Sequence, residues 1–223
     1  MERRQRSTLE AAWRAQAFLD ANATFLRGVV VPLLRARFDA AVENLAGCQL
    51  EQLIAQGMAR CETANQRACR RDLYVGLIRL IGRIADFAFS ASRQRRALVM
   101  PAATLESADF IKRARRLAAT AEYYREVFVS QGMPADFVDQ FWAALRQITT
   151  SMAARESYKR QQAVATARIK YEAKAVRGAL GIIDALLRST LRNDPRLLAD
   201  WIRQGRRPED VRQQTRGNRF TGA

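Results

Sequence analysis

The chain has 223 residues and a formal net charge of +16, and its hydrophobic fraction of 48% is that of an ordinary globular protein. It contains no histidine, which excludes Ser-His-Asp and Cys-His catalysis and the histidine-containing zinc and carboxylate-iron sites. Cys48, Cys61 and Cys69 form no CxxC pair, so we expect reduced, buried thiols on helices and neither a disulfide framework nor a zinc site.

The positive charge comes almost entirely from arginine, since only four of the 38 basic residues are lysines. Such a charge suggests a nucleic-acid or anionic-lipid partner, but an arginine excess beside abundant alanine also fits a coding bias. There is no glycine-rich phosphate loop, no signal-peptide core and no uncharged run of about 20 apolar residues. We therefore expect a cytoplasmic protein with no cofactor, no metal and no transmembrane segment.

Helix-forming residues dominate and β-type alternation is nearly absent, which predicts an all-α fold. A first helix is predicted over about Thr8 to Asn22, with Ser7 or Thr8 as its N-cap. A second begins near Phe25, with Pro32 in its first turns. Its apolar or small positions recur first at Leu34, Phe38, Ala41, Leu45 and Cys48. After one phase shift they resume at Leu50, Ile54, Gly57, Cys61, Ala64 and Ala68 and continue through Leu73, Leu77, Leu80, Ile84 and Phe87. The pattern fits one long helix or two helices joined near Gly57.

Residues 90–106 are predicted to form the main internal loop, and helix resumes over about 107–131. Gly132 fits the residue after a helix C-terminus, and Pro134 fits the first turn of the next helix. That helix extends to about residue 192, because apolar positions three and four residues apart run from Phe141 to Leu187. Asp194 then caps a short final helix that ends near Gly205.

The last long helix turns polar midway, at Arg155, Lys159 and Gln162, and the earlier long helix is polar around Glu62 to Arg67. If the two run antiparallel, these polar middles face each other. We predict an elongated antiparallel bundle with shorter helices covering its ends, in one domain over 1–205, followed by a disordered basic tail over 206–223. The alternative is a compact bundle in which the long helices break.

The run from Phe110 to Leu117, the turn Gly132-Met133-Pro134 and the closing Asp194-Pro195-Arg196-Leu197-Leu198-Ala199-Asp200-Trp201 resemble a group of uncharacterised bacterial all-helical proteins. The resemblance covers about residues 100 to 205. It implies an all-helical bacterial protein, and because that group has no assigned activity it assigns no functional residues.

No residues form a catalytic constellation, so we predict a non-enzymatic helical scaffold or adaptor that binds a protein partner or a second copy of itself. The alternative is a nucleic-acid or polyanion binding protein that uses basic residues of the polar middle, namely Arg60, Arg67, Arg70, Arg71, Arg155, Lys159, Arg160, Arg168, Lys170 and Lys174. Arg79, Arg83 and Asp86 interrupt an apolar helix at spacings of four and three. They are interpreted as an intrahelical ion pair or, alternatively, as an anion site.

Overall fold

The computed structural model describes residues 3–90 and 94–205, and every regular element within those ranges is a helix. The all-α prediction is confirmed. The tail predicted over 206–223 lies outside the described residues. The helices are α1 (Arg3–Ala21), α2 (Pro32–Leu73), α3 (Arg79–Ala88), α4 (Gln94–Ala97), α5 (Ser107–Tyr123), α6 (Arg125–Ser130), α7 (Phe137–Thr190) and α8 (Pro195–Gly205), with a π-helical turn at Tyr74–Ile78 and a 3-10 turn at Leu191–Asn193.

Several helices begin at residues other than those predicted. Helix α1 begins at Arg3, so the assignment of Ser7 or Thr8 as an N-cap is wrong. Helix α2 begins at Pro32 and not near Phe25, because proline lacks the N–H that the first helical residue leaves unbonded. Helix α7 begins at Phe137, three residues after Pro134. The predicted loop at 90–106 contains the single helical turn α4.

Both long helices are continuous. Helix α2 passes through Gly57 and extends over 42 residues, and α7 passes through its polar middle over 54 residues. The alternative in which these helices break at the polar stretch is therefore wrong.

The phase shift predicted within α2 does not occur. Residues at one heptad position remain buried along the whole helix: Leu45, Gln52, Ala59, Gln66 and Leu73. Polar and small side chains occupy the middle of this inward face, and the apolar Leu50 and Ile54 lie on the opposite side, 60% and 58% exposed. The prediction failed because it followed hydrophobicity, whereas the helix keeps one heptad register and accepts glutamine within it.

The register of the buried positions does change after the end of α2. The π-helical turn at Tyr74–Ile78 inserts one extra residue into the helix. The buried positions after it are consequently Ile78, Ile81 and Ala85, each one residue later than the predicted Leu77, Leu80 and Ile84. Phe87, which was also predicted to be buried, is 77% exposed.

The chain divides into two compact units, and the single domain predicted over 1–205 stays a prediction. Unit 1 comprises Met1–Ile54 and Gln161–Ala223, and unit 2 comprises Ala55–Arg160. Each contains its own hydrophobic cluster.

In unit 1, α1 and α8 pack against the first half of α2 and the second half of α7. The Trp201 ring lies 5.2 Å from that of Phe18, and its indole N–H donates to Asp184 at 2.8 Å. The helices α2 and α7 run antiparallel here, since the Gln52 amide donates to the Thr166 hydroxyl at 2.8 Å.

In unit 2, α5 and α6 cover α3 and the first half of α7. The Ser151 hydroxyl donates to Glu62 at 2.8 Å, and the Gln66 amide donates to Ser107 at 2.7 Å. The expected contact between polar residues of the two long helices is thus found between α2 and α7 within this unit as well.

The turn at Gly132 is built as the sequence predicts. Gly132 has φ of +94°, the left-handed region that glycine adopts without steric cost. The Met133 N–H donates to the Phe128 carbonyl at 3.1 Å, and the Gly132 N–H donates to the Val129 carbonyl at 3.0 Å. These two bonds form a Schellman motif, which satisfies carbonyls at the end of α6.

Replacing Gly132 with alanine tests this turn. We expect the free energy of unfolding to fall by roughly 1–2 kcal/mol, because a Cβ is strained at positive φ. The matched control is Gly181→Ala, since Gly181 lies within α7 and an added Cβ there would meet no side chain within 4 Å. For the control we expect a gain of roughly 0.5–1 kcal/mol. Equal effects of the two substitutions in urea denaturation would contradict this account.

Candidate binding surfaces

Three of the predicted cations lie on one exposed flank of α2 in unit 2. Arg60, Arg67 and Arg71 are all exposed, and spacings of seven and four residues place them on the same side of a helix. Arg71 pairs with the neighbouring Asp72 at 3.5 Å. Within the described residues, Arg60 and Arg67 have no carboxylate partner, so this flank keeps its positive charge.

Arg70 is occupied by structural contacts. Its guanidinium donates to the Ala103 carbonyl at 2.8 Å and to the Leu105 carbonyl at 2.5 Å, and it lies 4.2 Å from the centre of the Phe110 ring. Burial lowers the pKa of Arg70 below its ordinary value. This residue anchors the segment before α5 and is not available to a polyanion.

The remaining predicted residues of unit 2 lie on α7. Arg155 is half-buried, and Lys159 and Arg160 are exposed. Lys159 pairs with Glu156 at 3.2 Å. Glu62 accepts a hydrogen bond from Ser151 and, within the described part of the chain, forms no ion pair with Arg155 or Lys159. The polar middle of unit 2 is therefore hydrogen-bonded and lacks a buried ion pair among these residues.

In unit 1, the predicted cations flank the outward side of α7. Arg168 pairs with Glu51 at 2.9 Å. Lys170 and Lys174 are exposed and, over the described residues, have no acidic partner. The sequence analysis missed Arg177, which is also exposed and follows them at spacings of four and three. The signal that could have found it is this spacing, which continues one line of cations along the helix.

The second feature that the sequence analysis missed is a set of apolar side chains on the outward side of α2 in unit 1, here called the α2 patch. It consists of Leu50, Leu53 and Ile54, each more than half exposed. Leu50 and Ile54 were assigned to the core because of their heptad spacing. That spacing is real, but it belongs to a second face of the helix, since Gln52 occupies the inward position.

Helix α7 has a comparable outward side in unit 1, here called the α7 face. Val164, Tyr171 and Ile182 are 61%, 73% and 54% exposed. Spacings of seven and eleven residues bring them to one side of the helix, opposite the buried Ile169, Ala173 and Val176.

The predicted pair among Arg79, Arg83 and Asp86 is wrong. Asp86 instead pairs with Arg95 of α4 at 2.5 Å, because α4 brings that guanidinium to the end of α3. Arg79 and Arg83 are exposed. The expectation that all three cysteines are buried is also wrong, since Cys48 is buried, Cys69 is half-buried and Cys61 is exposed.

Residues 3–90 and 94–205 contain no group of three or more cysteine or acidic side chains that could hold a metal ion. In the same ranges, no helix has the combined length and hydrophobicity that crossing a membrane requires. No family model, curated protein or solved structure matches this chain.

The polar middle can be tested with the double variant Arg155→Leu, Lys159→Leu. We expect the free energy of unfolding to change by less than about 1 kcal/mol, or to rise, because neither cation pairs with a buried acid of residues 3–90 or 94–205. The comparison variant Arg70→Leu is expected to lose about 1.5–3 kcal/mol, since it removes charged hydrogen bonds to two carbonyls. A loss of about 3–5 kcal/mol in the double variant would instead reveal a buried ion pair.

Proposed function

We propose that this protein is a non-enzymatic helical scaffold or adaptor, and that the α2 patch is a surface through which it binds another protein. The observation that carries the proposal is the exposure of Leu50, Leu53 and Ile54 next to one another on a well-formed helix. Contiguous exposed apolar side chains on a water-facing surface are typical of protein interaction sites.

Energetics support the same assignment. Fully burying a leucine or isoleucine side chain contributes about 1.5–3 kcal/mol, and these three side chains keep more than half of their surface available for it. Leu53 and Ile54 follow Leu50 at spacings of three and four residues, which place all three on one side of α2 and suit packing against another helix. The occupant is then a helix of a partner protein or the same face of a second copy.

We also propose a cytoplasmic location and a relation to the bacterial helical group. A cytoplasmic location is supported by three free thiols on helices, because such thiols persist in reducing compartments. The resemblance to the bacterial helical group rests in part on residues that end or begin helices. Gly132 closes α6, and the Asp194 carboxylate accepts from the Leu197 N–H at 3.1 Å as an N-cap. These motifs specify turns, which fits a group defined by its architecture.

Removing the α2 patch tests the scaffold proposal. The tagged full chain is used to recover proteins from nuclease-treated lysate of cells that also express an untagged copy. We expect the variant Leu50→Ser, Ile54→Ser to lose the bound proteins or the second copy, because serine cannot replace the apolar contact.

The matched control is Val31→Ser, Leu33→Ser, which removes two equally exposed apolar residues outside the patch and should recover the same proteins as the unmodified chain. Circular dichroism checks that both variants keep their helices. Recovery of the same proteins by the unmodified chain, the patch variant and the control variant would contradict the proposal.

Polyanion binding is a second candidate function, and a specific observation favours it. Arg60 and Arg67 are exposed on one flank of α2 in unit 2 and, within the described residues, have no carboxylate partner. Two arginines spaced along a helix can contact successive phosphates, and such contacts release counterions. Of the ten cations predicted for this role, Arg70 is excluded by its structural contacts.

Gel retardation with duplex and single-stranded nucleic acid tests this candidate. We expect retardation that weakens steeply with salt, and a salt slope reduced by about 2 in Arg60→Gln, Arg67→Gln, because each phosphate contact contributes about one unit. Lys112→Gln, Arg113→Gln on α5 removes the same charge elsewhere and should leave the slope unchanged. Absence of retardation even at low salt would remove polyanion binding from consideration.

A further inference from the structure

The α7 face has the shape of a helix-docking surface. Small exposed residues lie on the same side as its bulky side chains Val164, Tyr171 and Ile182, namely Ala167, Ala175 and Gly178. Arg168 is also exposed at the margin of this side, where it pairs with Glu51. Bulky residues separated by small ones form ridges and holes, and another helix can place its own side chains in those holes. All of these residues belong to unit 1.

One edge of this face carries a line of three cations. Lys170, Lys174 and Arg177 are exposed at spacings of four and three, so they are neighbours along the helix surface. None of them pairs with an acidic group in the described residues. Like charges at these spacings destabilise a helix. An acidic partner would offset their mutual repulsion by its attraction to all three cations.

We propose that the α7 face binds an acidic amphipathic helix of a partner protein. The partner's apolar side chains would fill the positions over Ala167, Ala175 and Gly178, and its glutamates or aspartates would face Lys170, Lys174 and Arg177. This inference rests on the scaffold function proposed above and adds the chemistry of one partner. The face extends over the 19 residues from Val164 to Ile182, or about 27 Å along a helix, which a partner helix of about five turns covers.

Charge and shape favour this occupant over three others. A second copy of the α7 face would bring Lys170, Lys174 and Arg177 near cations of the same kind, and like charges across an interface oppose association. An anionic membrane surface is bound by helices with a continuous band of large apolar side chains, whereas small residues separate those of this face. A nucleic-acid backbone would satisfy the cations but would leave the apolar side chains without a contact.

The test uses fluorescence anisotropy with the full chain and a labelled synthetic helix. The probe is a peptide of three heptads with leucine and isoleucine at the core positions and glutamate at the flanking positions. Its matched control has lysine in place of glutamate. We expect the acidic peptide to bind at least tenfold more tightly than the basic one, with an affinity that falls as salt is added.

Three variants locate the binding site. Lys170→Gln, Lys174→Gln, Arg177→Gln and, separately, Tyr171→Ser, Ile182→Ser should each weaken binding of the acidic peptide at least tenfold. The charge-matched control Lys112→Gln, Arg113→Gln, Arg116→Gln on α5 should bind as the unmodified chain does. All substituted residues are exposed, and circular dichroism verifies that each variant stays helical.

Several outcomes overturn the inference. One is absence of peptide binding at low salt, and another is equal weakening by the α5 control, which would indicate only general charge attraction. A third is tighter binding to phosphatidylserine-containing vesicles or to a nucleic-acid duplex that depends on the same residues and displaces the peptide. The variant Leu50→Ser, Ile54→Ser separates the two proposals, because it should lose the partners of the α2 patch and still bind the acidic peptide.

Discussion

Packing between the inward faces of α2 and α7 is the interaction on which the rest of the structure depends. Each unit has its own hydrophobic cluster, in which shorter helices pack onto α7 and onto α2 or, in unit 2, onto α3, which follows α2 after the π-helical turn. In unit 1 these are α1 and α8, and in unit 2 they are α5 and α6. Since an isolated short helix is marginal in water, the shorter helices gain their stability from the apolar surface that the long helices provide.

Hydrogen bonds replace apolar contacts where the two long helices turn polar. Gln52 bonds to Thr166 in unit 1, and Glu62 to Ser151 in unit 2. A polar side chain within a heptad contributes less to stability than leucine, but it favours one register because only that register satisfies its hydrogen bonds. These contacts therefore fix the alignment of α2 against α7 within each unit, a task that a uniform apolar face performs poorly.

Glutamines occupy part of the inward face of α2, and apolar residues of the same helix lie on its outward side. The α2 patch and the α7 face both lie opposite buried positions of their own helices, so each helix has one side for folding and a second side with apolar character. Basic residues border the α7 face and are exposed, whereas Arg70 and Arg168 are already engaged within their units. The basic residues therefore differ in whether they are free to bind a partner. Some arginines hold the fold together, and others remain open to an anionic partner.

The sequence by itself determined the helical class, the turn at Gly132, the Asp194 cap and nearly all of the inward face of α7, because these follow from local propensity, backbone geometry and an apolar period that no other element alters. It could not determine which side of α2 faces inward. Two heptad patterns run along α2, one containing Gln52 and one containing Leu50 and Ile54. The second is the more hydrophobic, and it lies on the exposed side. The position of α7 decides between them, because Thr166 gives the Gln52 amide a partner. The π-helical turn shifts the register of α3 for a similar reason: Ile78 and Ile81 reach the unit 2 cluster only with one extra residue in the helix. Both candidate surfaces are defined by exposure, a property of the folded chain that hydrophobic spacing alone does not reveal.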